Sequence, residues 1–195
     1  MGTYEADKMR IFATLAKARH VVYDIGANAG IYTVLASTLV GSEGKVFAFE
    51  PLPRNVEFLR RHVKLNRREN VVVMSCAVSD QATRARFDAT VGPSQGRLSK
   101  AGDIEVETVT LDGLLTAGQI LPADVIKIDV EGAEDRVLAG AETVITARRP
   151  IILLATHGSA VHHRCCVWLR QRGYTLRSVS KARPDETDEL LALRA

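Results

Sequence analysis

Four side chains that can hold a charge or a proton stand where runs of apolar residues stop. They are Asp24 in VVYDIGANAG (21–30), Glu50 in VFAFEP (46–51), Asp129 in VIKIDVEGAE (125–134) and His157 in IILLATH (151–157). Carboxylates so placed can accept hydrogen bonds from hydroxyls or balance a cation, and a histidine can take up a proton near neutral pH. The first of them opens a loop, DIGANAG. There Gly26 and Gly30 allow the backbone close to a ligand and the following helix close to the strand, and Asn28 tolerates a left-handed conformation.

What such a loop holds is narrowed by its charge. A dinucleotide would bring its pyrophosphate against Asp24, a repulsion of about 4 kcal/mol at ~4 Å and an effective dielectric of ~20. The Lys-Ser/Thr ending of a phosphate loop is missing as well. S-adenosylmethionine (SAM) suits the loop better, because it offers an ammonium and a sulfonium to acids and a carboxylate to a helix N-terminus. Glu50, 26 residues after Asp24, is placed to accept both ribose hydroxyls.

The elements that must position these residues follow from the apolar pattern. Strands are predicted at 20–26, 44–51, 70–78, 123–130 and 150–157, each short, apolar and bounded by turn residues, as in strands buried on both faces. Helical periods fill the gaps, at 31–40, at 53–66 with Pro53 in the first turn, at 131–147, and at 159–173 closed by Gly173. Such alternation gives an α/β fold with a mostly parallel sheet and right-handed crossovers. Residues 1–19 read as an N-terminal helix, 83–110 as an inserted edge hairpin, and GYTLRSV with ELLALR as a terminal antiparallel pair. The run Gly92, Pro93, Ser94, Gln95 and Gly96 has no apolar anchor and is expected to be mobile, a lid beside the cleft.

At 195 residues and 46% hydrophobic content the chain is expected to form a single domain, 1–195, without disulfide or metal staples. Its three cysteines form no framework, no targeting leader precedes residue 20, and no run of 18 apolar residues occurs; a cytoplasmic protein off the membrane is the expectation. A net charge of +3 does not demand a nucleic-acid partner. The basic run Arg60, Arg61, Lys64, Arg67 and Arg68 reads as a solvated helix face. HGSAVHHRCC (157–166) collects histidines and cysteines, but its spacing fits no common zinc pattern.

The sequence resembles the FkbM family of SAM-dependent methyltransferases. The resemblance is carried by DIGANAGIYT (24–33), FAFEPLPRN (47–55), AVSD (77–80), VTLDGLL (109–115) and above all IKIDVEGAE (126–134), in order through about residues 20–180. It implies a class I methyltransferase Rossmann-like fold, a seven-stranded sheet with its last strand antiparallel and helices on both faces. It also implies methyl transfer to a hydroxyl of a small metabolite or glycosidic acceptor. Asp24, Gly26, Asn28, Gly30, Glu50 and Asp129 become cofactor-site positions, and Cys76 and Ala77 the adenine-side segment. Asp129 and His157 are the expected catalytic pair, His157 sharing or taking the acceptor's proton. Where the family commonly has Glu-x-His this chain reads ATH, so Ala155 removes an acid and, with it, a ligand of any metal; none is expected. For the same reason a SAM-binding protein without catalysis stays open beside the enzyme, as does an RNA methyltransferase using the basic helix. Glu131 and Glu134 read as helix-start acids.

Overall fold

The computed structural model describes residues 3–88, 97–98, 104–180 and 182–194. Strands β1 (Val21–Ile25), β2 (Lys45–Phe49) and β3 (Val71–Met74) run outward along one half of a sheet, crossed by helices α2 (Ile31–Val40) and α3 (Pro53–Leu65); α1 (Thr3–Leu15) precedes them. The chain then returns to lay β8 (Val125–Ile128) against the other side of β1, followed by β9 (Ile151–Ala155), β10 (Tyr174–Ser178) and β11 (Glu189–Arg194). The order is β10-β11-β9-β8-β1-β2-β3, with β11 antiparallel to both neighbours and the remaining pairs parallel. This is the seven-stranded sheet that the resemblance implies.

Alternation along the strands builds two cores. Tyr23, Ile25, Phe47, Phe49, Ile126, Ile128, Ile152 and Leu154 pack on one face, under α4 (Leu111–Thr116), α5 (Glu134–Ala139), α6 (Glu142–Arg148) and α7 (Ser159–Gln171). Val22, Val46, Val125 and Leu153 pack on the other face against Phe12 of α1 and Tyr32, Ala36 and Val40 of α2. A fully buried side chain of this size contributes roughly 1.5–3 kcal/mol. Among the described residues no helix is long and apolar enough to cross a membrane.

Three sequence expectations change. The apolar run 70–78 is two strands, β3 and the two-residue β4 (Ala77–Val78), which leaves the main sheet. It pairs in parallel with β7 (Ile104–Val109), which is antiparallel to β5 (Thr83–Asp88); with β6 (Arg97–Leu98) these make a separate four-stranded sheet. The hairpin therefore exists, but as part of its own sheet rather than the edge of the main one. The helical period at 131–147 begins only at Glu134 and breaks at Gly140 into α5 and α6. The Gly140 carbonyl there accepts from the Asp112 amide at 3.1 Å, and the chain passes so near Ser79 that a Cβ at 140 would lie 2.0 Å from its carbonyl oxygen. Asp112 then caps the second piece by accepting from the Thr143 and Val144 amides, both at 2.9 Å. The Gly92–Gly96 run expected as a lid lies outside the described residues.

Candidate functional site

The strand order reverses between β1 and β8, which leaves a crevice beyond the carboxyl ends of the sheet, where open α/β folds bind ligands. A cavity of about 380 Å³ lies there, within the range of small-ligand sites. Gly26, Asn28, Gly30, Glu50, Cys76, Ala77 and Asp129 all line it.

The loop after β1 is held by its neighbours. Gly26 and Ala27 both donate to the Phe49 carbonyl at 3.0 Å, and the Asp129 amide donates to Ile25, also at 3.0 Å. Gly26 has φ 78°, and a Cβ there would sit 1.8 Å from the Asp129 carbonyl oxygen. Gly30 has φ 93°, and a Cβ would press 2.4 Å from Leu59 Cδ1. The first close approach that these glycines permit is therefore loop to strand and loop to α3. Asn28 takes the left-handed φ of 49° expected of it.

Asp24 does not reach the cavity. It is fully buried, accepts from the Thr33 hydroxyl at 2.6 Å and pairs with Lys127 Nζ at 3.2 Å. Lys127 also donates to the Gly26 carbonyl at 2.8 Å. The Asp24 carboxylate thus fastens the loop from beneath. The negative charge expected of it at the cavity wall is carried by Glu50, Asp129 and Glu131.

Glu50 is 5% exposed, and its carboxylate is a hub. Oε2 accepts from the Asn28 amide at 2.9 Å; Oε1 accepts from the Leu52 amide at 3.0 Å and Asn55 Nδ2 at 3.3 Å. Burial pushes its pKa up, while these donors pull it back. With the Asn28 amide as its donor, Oε2 keeps a lone pair for a ligand hydroxyl. Leu52, Cys76, Ala77, Val78 and Phe87 make an apolar wall beyond it. Phe87 comes from β5, so the inserted sheet helps to enclose the cavity. The sequence marked Phe87 only by its place in a period-2 strand.

At the other end Asp129 and Glu131 line the cavity, and His157 stands behind them. His157 Nδ1 and Glu134 Oε1 are 2.8 Å apart, while Nε2 lies 3.5 Å from Glu131 Oε2 and 3.8 Å from Asp129 Oδ1. The hydrogen bond to Glu134, together with the nearby Glu131 and Asp129 charges, pushes His157 up to about 9 against the effect of burial. At neutral pH the ring is an imidazolium held by acids, where the sequence suggested a free base. Burial is the main cause raising Glu131. Asp129 and His157, at the ends of adjacent strands, stand as neighbours. Sequence reasoning read Glu131 and Glu134 as helix-start acids, whereas Glu134 is fully buried beneath the imidazole and takes the orienting place left vacant by Ala155. The EGAE spacing was the available signal; its link to a histidine 23 residues away was not.

A smaller group lies apart on α7, where His162 Nε2 is 3.3 Å from Cys166 Sγ with Asp185 nearby. Arg170 already binds both Asp185 oxygens, at 2.9 and 3.2 Å.

The sequence matches the Methyltransferase FkbM domain over residues 24–176. It is 26% identical to the hexuronic acid methyltransferase AglP of Haloferax volcanii, over 76% of this chain and 61% of that one. It is 31% identical to the 31-O-demethyl-FK506 methyltransferase FkbM of Streptomyces tacrolimicus, over 63% of this chain and 59% of that one. The chain thus spans about three fifths of the length of these curated relatives. The crystal structure of a Methyltransferase FkbM from Methylobacillus flagellatus KT superposes with a TM-score of 0.64 at 20% identity, covering 93% of this chain and 47% of that one. The likeness shows that the fold is shared.

Proposed function

Because the chain belongs to the FkbM methyltransferase family, we propose that it is a SAM-dependent methyltransferase acting on a hydroxyl of a small or sugar-containing acceptor. The observation that carries this reading is the cavity itself, with a hydroxyl-accepting carboxylate, Glu50, at one end and the Asp129–Glu131–His157 edge at the other. The residues present fit the cofactor. Glu50 Oε2 would take ribose hydroxyls, the wall of Leu52, Cys76, Ala77 and Phe87 the adenine, and Asp129 the amino end. When bound, SAM supplies an electrophilic methyl group.

What remains for the chain is positioning and a place for the acceptor's proton. Asp129 and Glu131 face the cavity, so the acceptor hydroxyl would approach this edge and give its proton to the cluster. Glu134 fixes the imidazole of His157 behind it. That contact favours the enzyme over a SAM binder without catalysis, since the reason for doubt was a missing orienting acid. The names of the relatives favour glycosidic or small-molecule acceptors over RNA. We treat residues 1–195 as one domain, and the three free, buried cysteines agree with a cytoplasmic setting.

The test is incubation with SAM and a panel of sugars, uronic acids and hydroxylated metabolites, read by mass spectrometry. The expected result is an O-methylated product whose formation rises with pH toward about 9, as His157 gives up its proton, and falls by ~10²–10⁴ in His157→Ala, the range of a lost acid–base group. Methylation of RNA alone, or SAM binding with no product on any acceptor, would overturn the reading.

A further inference from the structure

We propose that Asp129, Glu131 and His157 form a binding site for one divalent cation at the edge of the cavity. Asp129 Oδ1 and Glu131 Oε2 lie 3.8 and 3.5 Å from His157 Nε2, and all three donor atoms lie within 4.8 Å of one another. Ligand atoms held at ~2.1 Å from an ion stand roughly 3.0 Å apart when adjacent in an octahedron and roughly 4.2 Å apart when opposite. The two separations exceed the adjacent spacing by about 0.5 and 0.8 Å, a gap that small side-chain rotations would close around one ion. They are also longer than the ~3.2 Å of an N–H···O hydrogen bond. The three groups face one another without closing on one another.

A second observation comes from beneath the cluster. Glu134 is fully buried, is directed at His157, and leaves its Oε2 without a hydrogen-bond partner. Its Oε1 fixes Nδ1, so Nε2 is turned to the two cavity carboxylates, the arrangement by which a carboxylate orients a metal-binding imidazole. The ion would take the place of the Nε2 proton, which is released to solvent on binding. Three carboxylates therefore share one imidazole, and a cation among them would balance charge that burial makes costly. The expectation of no metal rested on Ala155. Glu131, from the turn after β8, supplies the second carboxylate instead. Two carboxylate oxygens and one imidazole nitrogen suit an Mn²⁺- or Mg²⁺-like ion. Asp129 and Glu131 line the cavity, so open coordination positions would face it. On the methyltransferase reading, those positions would receive an acceptor oxygen.

The experiment titrates Mn²⁺ alone into the full chain, with free ion followed by electron paramagnetic resonance and heat by calorimetry. One equivalent should bind. Glu131→Gln and His157→Ala should each weaken binding by ~10²-fold or more, and Glu134→Gln by ~10–100-fold, as for a residue that only orients a ligand. Circular dichroism establishes that each variant is folded. Absence of binding in the wild-type chain would overturn the proposal, as would undiminished binding by folded His157→Ala. Loss of binding in Cys166→Ser, with His157→Ala unaffected, would also overturn it by moving the ion to the α7 group. SAM affinity measured on the same wild-type preparation separates the two readings. Mn²⁺ binding can fail while SAM binds, which sinks the ion site alone, and failure of SAM to bind sinks the methyltransferase reading.

Discussion

Glu50 offers the sharpest test of where the cofactor lies. Its carboxylate holds the Asn28 and Leu52 amides and Asn55 Nδ2, and Glu50 lines the cavity. A hydrogen bond to a charged group is worth about 1.5–3 kcal/mol, and ribose hydroxyls bound there would make at least one. Glu50→Ala should therefore weaken SAM by roughly 10- to 150-fold, at about 1.4 kcal/mol per decade. The substitution also releases Asn28 in the loop after β1 and Leu52 and Asn55 after β2, and part of the loss comes from that loosening. A SAM analogue without ribose hydroxyls separates the two contributions. If Glu50 binds the ribose, the wild-type chain should lose affinity for the analogue, and Glu50→Ala should lose little more; the coupling measures the contact. Calorimetry on both proteins with both ligands completes the cycle. Equal penalties for the analogue in wild type and variant, with both folded, would refute the placement.

Two further predictions concern what holds the loop. Lys127→Met leaves Asp24 charged, fully buried and without its ion-pair partner, and should cost ~3–5 kcal/mol of stability. The double change Asp24→Asn, Lys127→Met should recover much of that in urea unfolding, and a double variant as unstable as the single one would argue against the pairing. Gly26→Ala forces a Cβ to 1.8 Å from the Asp129 carbonyl at φ 78°. At ~2–4 °C per kcal/mol for a chain of this size, it should lower the melting temperature by more than ~5 °C or prevent folding; a melting temperature within ~2 °C of wild type would show that the loop is not so tightly seated.

The parts of the molecule legible in the sequence are those set by local pattern. Apolar runs of the β1 and β8 kind are buried on both faces, so they read as parallel strands without any knowledge of their neighbours. Asp129 and His157 were placed by the same logic, each just past the end of a strand. What was not legible depends on approach between distant segments. Nothing local in 70–78 says that the chain must leave β3 at Ser75 and pair Ala77 and Val78 with Thr108 and Val109. Gly140 reads as one tolerable glycine in a helical period, and the break there depends on the distant Asp112, which donates to the Gly140 carbonyl and caps Thr143 and Val144. Asp24 reads as a cavity acid until Lys127, its partner across the β1–β8 register, is seen to claim it.

Residue 155 shows how such long-range placement can redistribute chemistry. The resemblance implies an acid two residues before the histidine, where this chain has Ala155, and by sequence alone this weakens the site. Two acids on other elements stand around this position. Glu134, at the start of α5, reaches Nδ1 of His157. Glu189 of β11 stands in register with Ala155 itself, nearly buried and ion-paired with Lys8 of α1. Lys8, Asp129, Ala155 and Glu189 together border a small recess beside the main cavity. A carboxylate at 155 would place a further negative charge against Glu189, whose pKa burial already raises. The small side chain at 155 is thus what the Lys8–Glu189 pair requires, and Glu134 is what lets His157 keep an oriented ring without an acid on its own strand.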